Sequence, residues 1–88
     1  MNKTICALVN NEPEVLMRIT GLMRRKGFSM KKIVMEESTE PDKALLTITL
    51  PEEHQNITIA IHQMEKLVDV YSVRELVSLG ITAMEAGN

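Results

Sequence analysis

Apolar and polar positions along this 88-residue chain change period several times, and each change marks an element. Thr4 to Val9 (TICALV) is apolar at nearly every position, the pattern of a strand covered on both faces. Asn10-Asn11-Glu12-Pro13 breaks that run with loop chemistry. Pro13 suits the first turn of a helix, where its missing N–H is no loss. From Val15 onward, apolar residues recur at Leu16, Ile19, Leu22 and Met23, the one-face helical pattern. The helix is expected to end on Arg24-Arg25-Lys26-Gly27. Its cations complement the negative end of the helix dipole, and Gly27 fits the left-handed position just beyond it.

Met30 to Glu37 is the second predicted strand, with Ile33 and Met35 on one face and Val34 on the other. Ser38 to Lys43 is a polar hairpin loop. Ala44 to Leu50 is the third strand, in which Leu46, Ile48 and Leu50 alternate with Leu45, Thr47 and Thr49. Pro51-Glu52-Glu53 supplies a proline and two acids for the first turn of a second helix. Within it, Ile57, Ile59 and Ile61 alternate as in a strand, yet Ile57, Ile61, Met64 and Leu67 or Val68 also form a helical stripe. Length decides for a helix, from about Glu52 to Leu67. Val68 to Leu76 is the fourth strand, and residues 78–88 form a tail with room for one short helical turn.

The order β-α-β-β-α-β belongs to the α/β (α+β) class and predicts a ferredoxin-like plan: a four-stranded antiparallel sheet with two helices on one face. Residues 1–77 make one domain. The first and third strands, the more apolar, belong in the centre. The second and fourth belong at the edges, and Lys31, Lys32, Glu36 and Glu37 on the second are the charges that commonly blunt an exposed edge.

Composition narrows what such a fold does. A domain of this size buries only about 60–65% of its unfolded surface, so association is a natural source of stability. The net charge of −2 leaves no electrostatic footprint for nucleic acid or an anionic membrane. Strand-like sequence begins at once, so no signal peptide fits, and no apolar stretch is long enough to span a bilayer. One cysteine, Cys6, allows neither an internal disulfide nor a CxxC metal pair, which suits a cytoplasmic protein.

Chemistry-bearing residues are sparse. The central strands lack the aromatics that stack RNA bases. His54, in the expected first turn of the second helix, and His62 belong to no HxxxH or HExxH pattern and read as solvated surface histidines. Cys6, inside an apolar strand, reads as a buried inert thiol. Arg24-Arg25-Lys26 could hold a phosphate, but complementing the helix end is the simpler role. No glycine-rich phosphate loop is present. What remains is the turn from the first strand into the first helix. Unpaired N–H groups there could receive a small carboxylate, or the turn could be purely structural.

At this point the residues resemble the ACT domain, an amino-acid-sensing module, and more narrowly the N-terminal part of acetolactate (acetohydroxyacid) synthase small subunits. Val9-Asn10-Asn11-Glu12-Pro13 is similar to that family's asparagine-containing turn after its first strand. Ile19-Thr20-Gly21-Leu22-Met23-Arg24-Arg25-Lys26-Gly27-Phe28 resembles its helix, basic residues, glycine and aromatic. Glu37 to Lys43 falls where the family has an acidic, variable loop. Gln63-Met64-Glu65-Lys66-Leu67-Val68-Asp69-Val70 is close to the "KLVDV" leading into its fourth strand. The resemblance runs from about Thr4 to Leu76.

The resemblance implies a non-catalytic regulatory subunit. It implies homodimers formed by side-by-side pairing, and branched-chain amino acids, chiefly valine, bound between the first turn of one domain and the second strand of the other. Carried over by position, the pocket involves Asn11, Glu12, Pro13, Glu14, Val15 and Leu16, with Ser29, Met30 and Ile33 from the neighbour. It implies a large catalytic subunit that holds thiamine diphosphate, Mg²⁺ and FAD, and no cofactor in this chain. Many valine-sensitive members have glycine where Glu14 stands and asparagine where Ser29 stands, so weak valine binding, or none, is expected. One rival is a free-standing ACT sensor for another enzyme. Another is a small enzyme on the same plan, such as an acylphosphatase, whose chemistry needs an arginine in the first turn; Asn10-Asn11-Glu12-Pro13 has none.

Overall fold

The computed structural model describes residues 2–51 and 56–76. Their elements run β1 (Lys3–Asn10), α1 (Pro13–Arg25), β2 (Lys32–Glu37), β3 (Lys43–Leu50), α2 (Ile57–Glu65) and β4 (Val70–Leu76). The sheet order is β2-β3-β1-β4, with every neighbouring pair antiparallel. This is the ferredoxin-like plan expected from the chain's periodicities, with β1 and β3 in the centre.

Strand alternation builds the core. Ile5, Ala7 and Val9 of β1 stand opposite Ile48, Leu46 and Ala44 of β3, and all six are buried. The helices close over them with Val15, Ile19 and Met23 from α1 and Ile57, Ala60 and Met64 from α2. Both helices lay their apolar stripes on this one face. The opposite phase of β1, Cys6 and Leu8, stays half-exposed beside exposed Leu45. Among the described residues, β1 is therefore covered on one face only. Cys6 is not the buried thiol its apolar neighbours suggested, because it lies on the open face.

Helix α1 begins and ends where proline and glycine predict. Pro13 occupies its first turn, and the chain reverses at Gly27, where φ is +83°. There the Gly27 N–H donates to the Arg24 carbonyl at 3.0 Å and the Phe28 N–H to the Met23 carbonyl at 2.9 Å. This is the Schellman pattern, and Phe28 packs against the core beyond it.

Helix α2 departs from expectation. It opens at Ile57, not at Pro51-Glu52-Glu53. Asn56 caps it, its side-chain oxygen accepting from the N–H groups of Thr58 at 3.1 Å and Ile59 at 3.2 Å. An asparagine at the cap satisfies two donors that the first helical turn otherwise leaves unpaired. His54 and the tail 78–88 lie outside the described residues, and His62 is exposed as expected. The starts of β2 and β4 also fall later than expected. β2 begins at Lys32 and β4 at Val70, because Val68 and Asp69 form a turn in which Val68 is 92% exposed while Leu67 packs on the core.

Candidate functional site

The β1–α1 turn is pinned from two sides. The Asn10 N–H donates to the Asp69 carbonyl at 3.0 Å, and its side-chain amide donates to the Asp69 carboxylate at 3.1 Å. Arg18, from the second turn of α1, forms an ion pair with the other carboxylate oxygen of Asp69. On the hairpin side, the Asn11 N–H donates to the Asp42 carbonyl at 3.0 Å. Asp42 sits at φ +65°, a conformation that aspartate tolerates better than most residues.

A β-bulge completes the arrangement. The β1–β4 register shifts between Leu8, opposite Ser72, and Val9, opposite Val70, which leaves Tyr71 as the extra residue. The Tyr71 hydroxyl donates to the Asn10 side-chain carbonyl at 2.5 Å. Lys43 lies 4.4 Å from the centre of the Tyr71 ring, and its ammonium also meets Glu40 at 3.0 Å. Sequence reasoning assigned no role to this cluster of Asn10, Arg18, Lys43, Asp69 and Tyr71. The signal available was Asp69 inside Lys66-Leu67-Val68-Asp69-Val70, the one acid in an otherwise apolar approach to β4.

The turn offers few free donors. Glu12 stands at the cap position without a side-chain cap, its N–H donating to the Asn10 carbonyl at 3.0 Å. The Val15 N–H is used by the Glu12 carbonyl at 3.0 Å, and Pro13 has none. Among the described residues, that leaves the Glu14 N–H at the mouth of the helix. Glu12, Glu14, Asp42 and Glu40 make the surroundings acidic.

The residues expected to line a pocket fall into two groups. Asn11, Glu12, Pro13 and Glu14 are exposed at the turn; Val15 behind them is fully buried and Leu16 packs against the core. Ser29 is exposed, while Met30 and Ile33 pack partly against the core. One chain does not bring the groups together. β2 runs parallel to β1, since both are antiparallel to β3, so Ser29 to Ile33 lies beside the start of β1 and the turn beside its end. The separation is about 20 Å, the length of a six-residue strand.

A second surface lies on the open side of the sheet. A shallow concavity of about 580 Å³ is lined by Cys6, Leu8, Leu45, Ser72 and Arg74, with the hairpin from Glu37 to Glu40 as its rim. Among the described residues, no group of three His, Cys, Asp or Glu side chains could hold a metal ion. No helix among them is long and apolar enough to cross a membrane.

The family model described as the ACT domain matches residues 11–73. A probable acetolactate synthase small subunit of Methanothermobacter thermautotrophicus is 39% identical, over 82% of this chain and 43% of that protein. Its counterpart in Archaeoglobus fulgidus is 33% identical, over 86% of this chain and 48% of that protein. The crystal structure of the acetolactate synthase small subunit from Thermotoga maritima superposes with a TM-score of 0.81 at 29% identity, covering 90% of this chain and 49% of that one. The chain thus spans about half the length of the relatives it matches.

Proposed function

The chain belongs to the ACT-domain family, and on that premise we propose that it serves as the non-catalytic regulatory subunit of an acetolactate synthase, binding a large catalytic chain and raising its activity. The observation that carries this reading is the agreement of sequence and fold with small subunits over most of the chain's length. Thiamine diphosphate, Mg²⁺ and FAD belong, in this reading, to the catalytic partner, and this chain supplies no ligand to them. The place of action is the cytoplasm.

The minimal unit is a homodimer. Two surfaces stay uncovered among the described residues: the outer edge of β2 and the open sheet face around Leu8 and Leu45. Pairing two copies along β2 covers the edge and extends the sheet. It also brings Ser29 to Ile33 of one copy toward the turn of the other, an arrangement in which the two pocket groups meet. The open face remains for the large subunit. An amino-acid effector enters the paired turns weakly, given how few donors they offer. Affinity purification of the tagged chain from native lysate tests the partnership. Recovery of a thiamine-dependent large subunit supports it, and recovery of a different amino-acid enzyme in its place contradicts it.

A further inference from the structure

Leu67-Val68-Asp69-Val70 is a four-residue turn between α2 and β4, closed by the Val70 N–H donating to the Leu67 carbonyl at 3.1 Å. The central positions of such turns are dominated by proline, glycine and short polar residues. Asp69 conforms to that rule and Val68 does not. Val68 is also the most exposed large apolar side chain among the described residues. A lone exposed valine is common on protein surfaces, but this one is fixed on both sides. Leu67 before it packs on the core, and its N–H donates to the Met64 carbonyl at 3.1 Å. Asp69 after it is bound through its carbonyl by the Asn10 N–H and through its carboxylate by Asn10 and Arg18. The fold thus holds Val68 out from its surface and makes no use of the side chain.

The same clasp fixes two further side chains. Tyr71 is half-exposed, and its hydroxyl is bound by the Asn10 side-chain carbonyl. Arg18 is also half-exposed, with one guanidinium nitrogen on Asp69. A guanidinium carries five N–H donors, so others remain for an acceptor on a partner. Tyrosine and arginine are enriched where proteins bind one another tightly, and side chains immobilised in advance lose less entropy on docking. Position then decides the occupant. The sheet order places this corner at β4, with β1 and β3 between it and β2. A copy paired along β2 lies three strand spacings away, about 14 Å, and leaves the corner uncovered. Tyr71 is followed by Ser72, which lines the concavity on the open sheet face. The corner is therefore continuous with the face left for the large subunit.

We propose that Val68, Tyr71 and Arg18 form a pre-organised docking corner for the catalytic large subunit, with Val68 as its apolar anchor. The corner rests on the reading of the chain as a regulatory subunit and names the surface that this reading leaves open. Val68 enters an apolar socket on the large chain, Tyr71 covers one side of that socket, and Arg18 donates to carbonyl or carboxylate oxygens at its rim. An apolar centre ringed by polar groups is the usual anatomy of a tight contact. Asn10 and Asp69 act as positioning residues, since they hold all three side chains in place before the partner arrives.

The test uses the full chain and an immobilised large acetolactate synthase subunit from the same source, with affinity read by interferometry. Val68→Thr exchanges one methyl for a hydroxyl at nearly constant shape, and Val68→Asp adds a charge. Ile59→Thr, on the exposed side of α2, makes the same kind of change outside the corner. Thermal unfolding and sedimentation are run on each variant. The expected result is an unchanged melting temperature and self-association for both Val68 variants, because the side chain supports no core contact. Affinity for the large subunit is expected to fall about tenfold for Val68→Thr and further for Val68→Asp, and to stay within about twofold for Ile59→Thr. Undiminished binding by the Val68 variants, or equal losses in Val68→Thr and Ile59→Thr, overturns the corner while leaving the regulatory subunit standing. A loss of self-association with binding of the large subunit intact assigns the corner to a second copy and overturns the proposal. A wild-type chain that the large subunit does not retain overturns the regulatory reading, and the corner with it.

Discussion

Arg18 of α1 and Asp69, in the turn that leads into β4, form an ion pair across the end of the sheet, and Asn10 of β1 donates to the same carboxylate. One side chain thus ties a helix, a central strand and an edge strand together next to the β1–α1 turn. Asp69 is only 8% exposed, whereas the Arg18 side chain is more than half exposed. The carboxylate is consequently the more valuable member. Asp69→Ala is expected to lower stability by about 2 kcal/mol, since it strands the Asn10 amide and removes charge-assisted hydrogen bonds. Arg18→Ala is expected to lower it by about 0.5–1 kcal/mol, because solvent screens an exposed partner. Urea denaturation of both variants checks the order; equal losses would contradict it.

Gly27 holds the end of α1 at a positive φ, and a side chain added there meets nothing within 4 Å. The glycine is required by backbone conformation, not by space. Gly27→Ala is expected to destabilise the domain by about 1–2 kcal/mol, and Gly27→Asn by less, because asparagine tolerates the left-handed region. Thermal unfolding of the two variants reads the difference.

These residues also show how far the chain could be read in advance. The bounds of α1 were legible because Pro13 and Gly27 act locally, through one missing donor and one unusual φ. The sheet order was legible because TICALV and ALLTITL are more apolar than their neighbours. The start of α2 was not, since Pro51-Glu52-Glu53 offers a plausible first turn upstream of Asn56, the true cap. Nor could alternation alone tell which phase of β1 faces the helices, because Cys6 and Leu8 are as apolar as Ile5 and Ala7. The pinning of the turn was least legible. Asn10 meets Asp69 and Tyr71 across 59 and 61 residues of chain, through a bulge that no periodicity discloses.

The open sheet face is expected to carry much of the contact with the large subunit. Leu8→Asp and Thr47→Lys place charges on that face, away from the buried core. Each is expected to leave the circular dichroism spectrum unchanged and to reduce activation of the catalytic chain by about tenfold or more, an interface loss of at least 1.4 kcal/mol. Full activation by the folded variants would exclude this face.

Valine is expected to bind weakly. Its carboxylate would meet the helix mouth where Pro13 lacks a donor and where the N–H groups of Glu12 and Val15 are already used. Glu14 adds a like charge. At about 5 Å the repulsion is roughly 1–3 kcal/mol, a loss of about 5- to 150-fold in affinity. Calorimetry is expected to show tighter valine binding by Glu14→Gly than by the native dimer. Tight native binding, undiminished relative to the glycine variant, would contradict the charge argument.

The regulatory role is tested most directly by co-expressing the chain with a large acetolactate synthase subunit from the same source and measuring acetolactate formation. The assay is run with and without the small chain, then with valine, leucine and isoleucine added in turn. The account predicts that the chain copurifies with the large subunit and raises its turnover severalfold in the absence of any amino acid, with at most weak inhibition by valine. A large subunit that neither retains the chain nor changes its turnover when the chain is supplied in excess would contradict it.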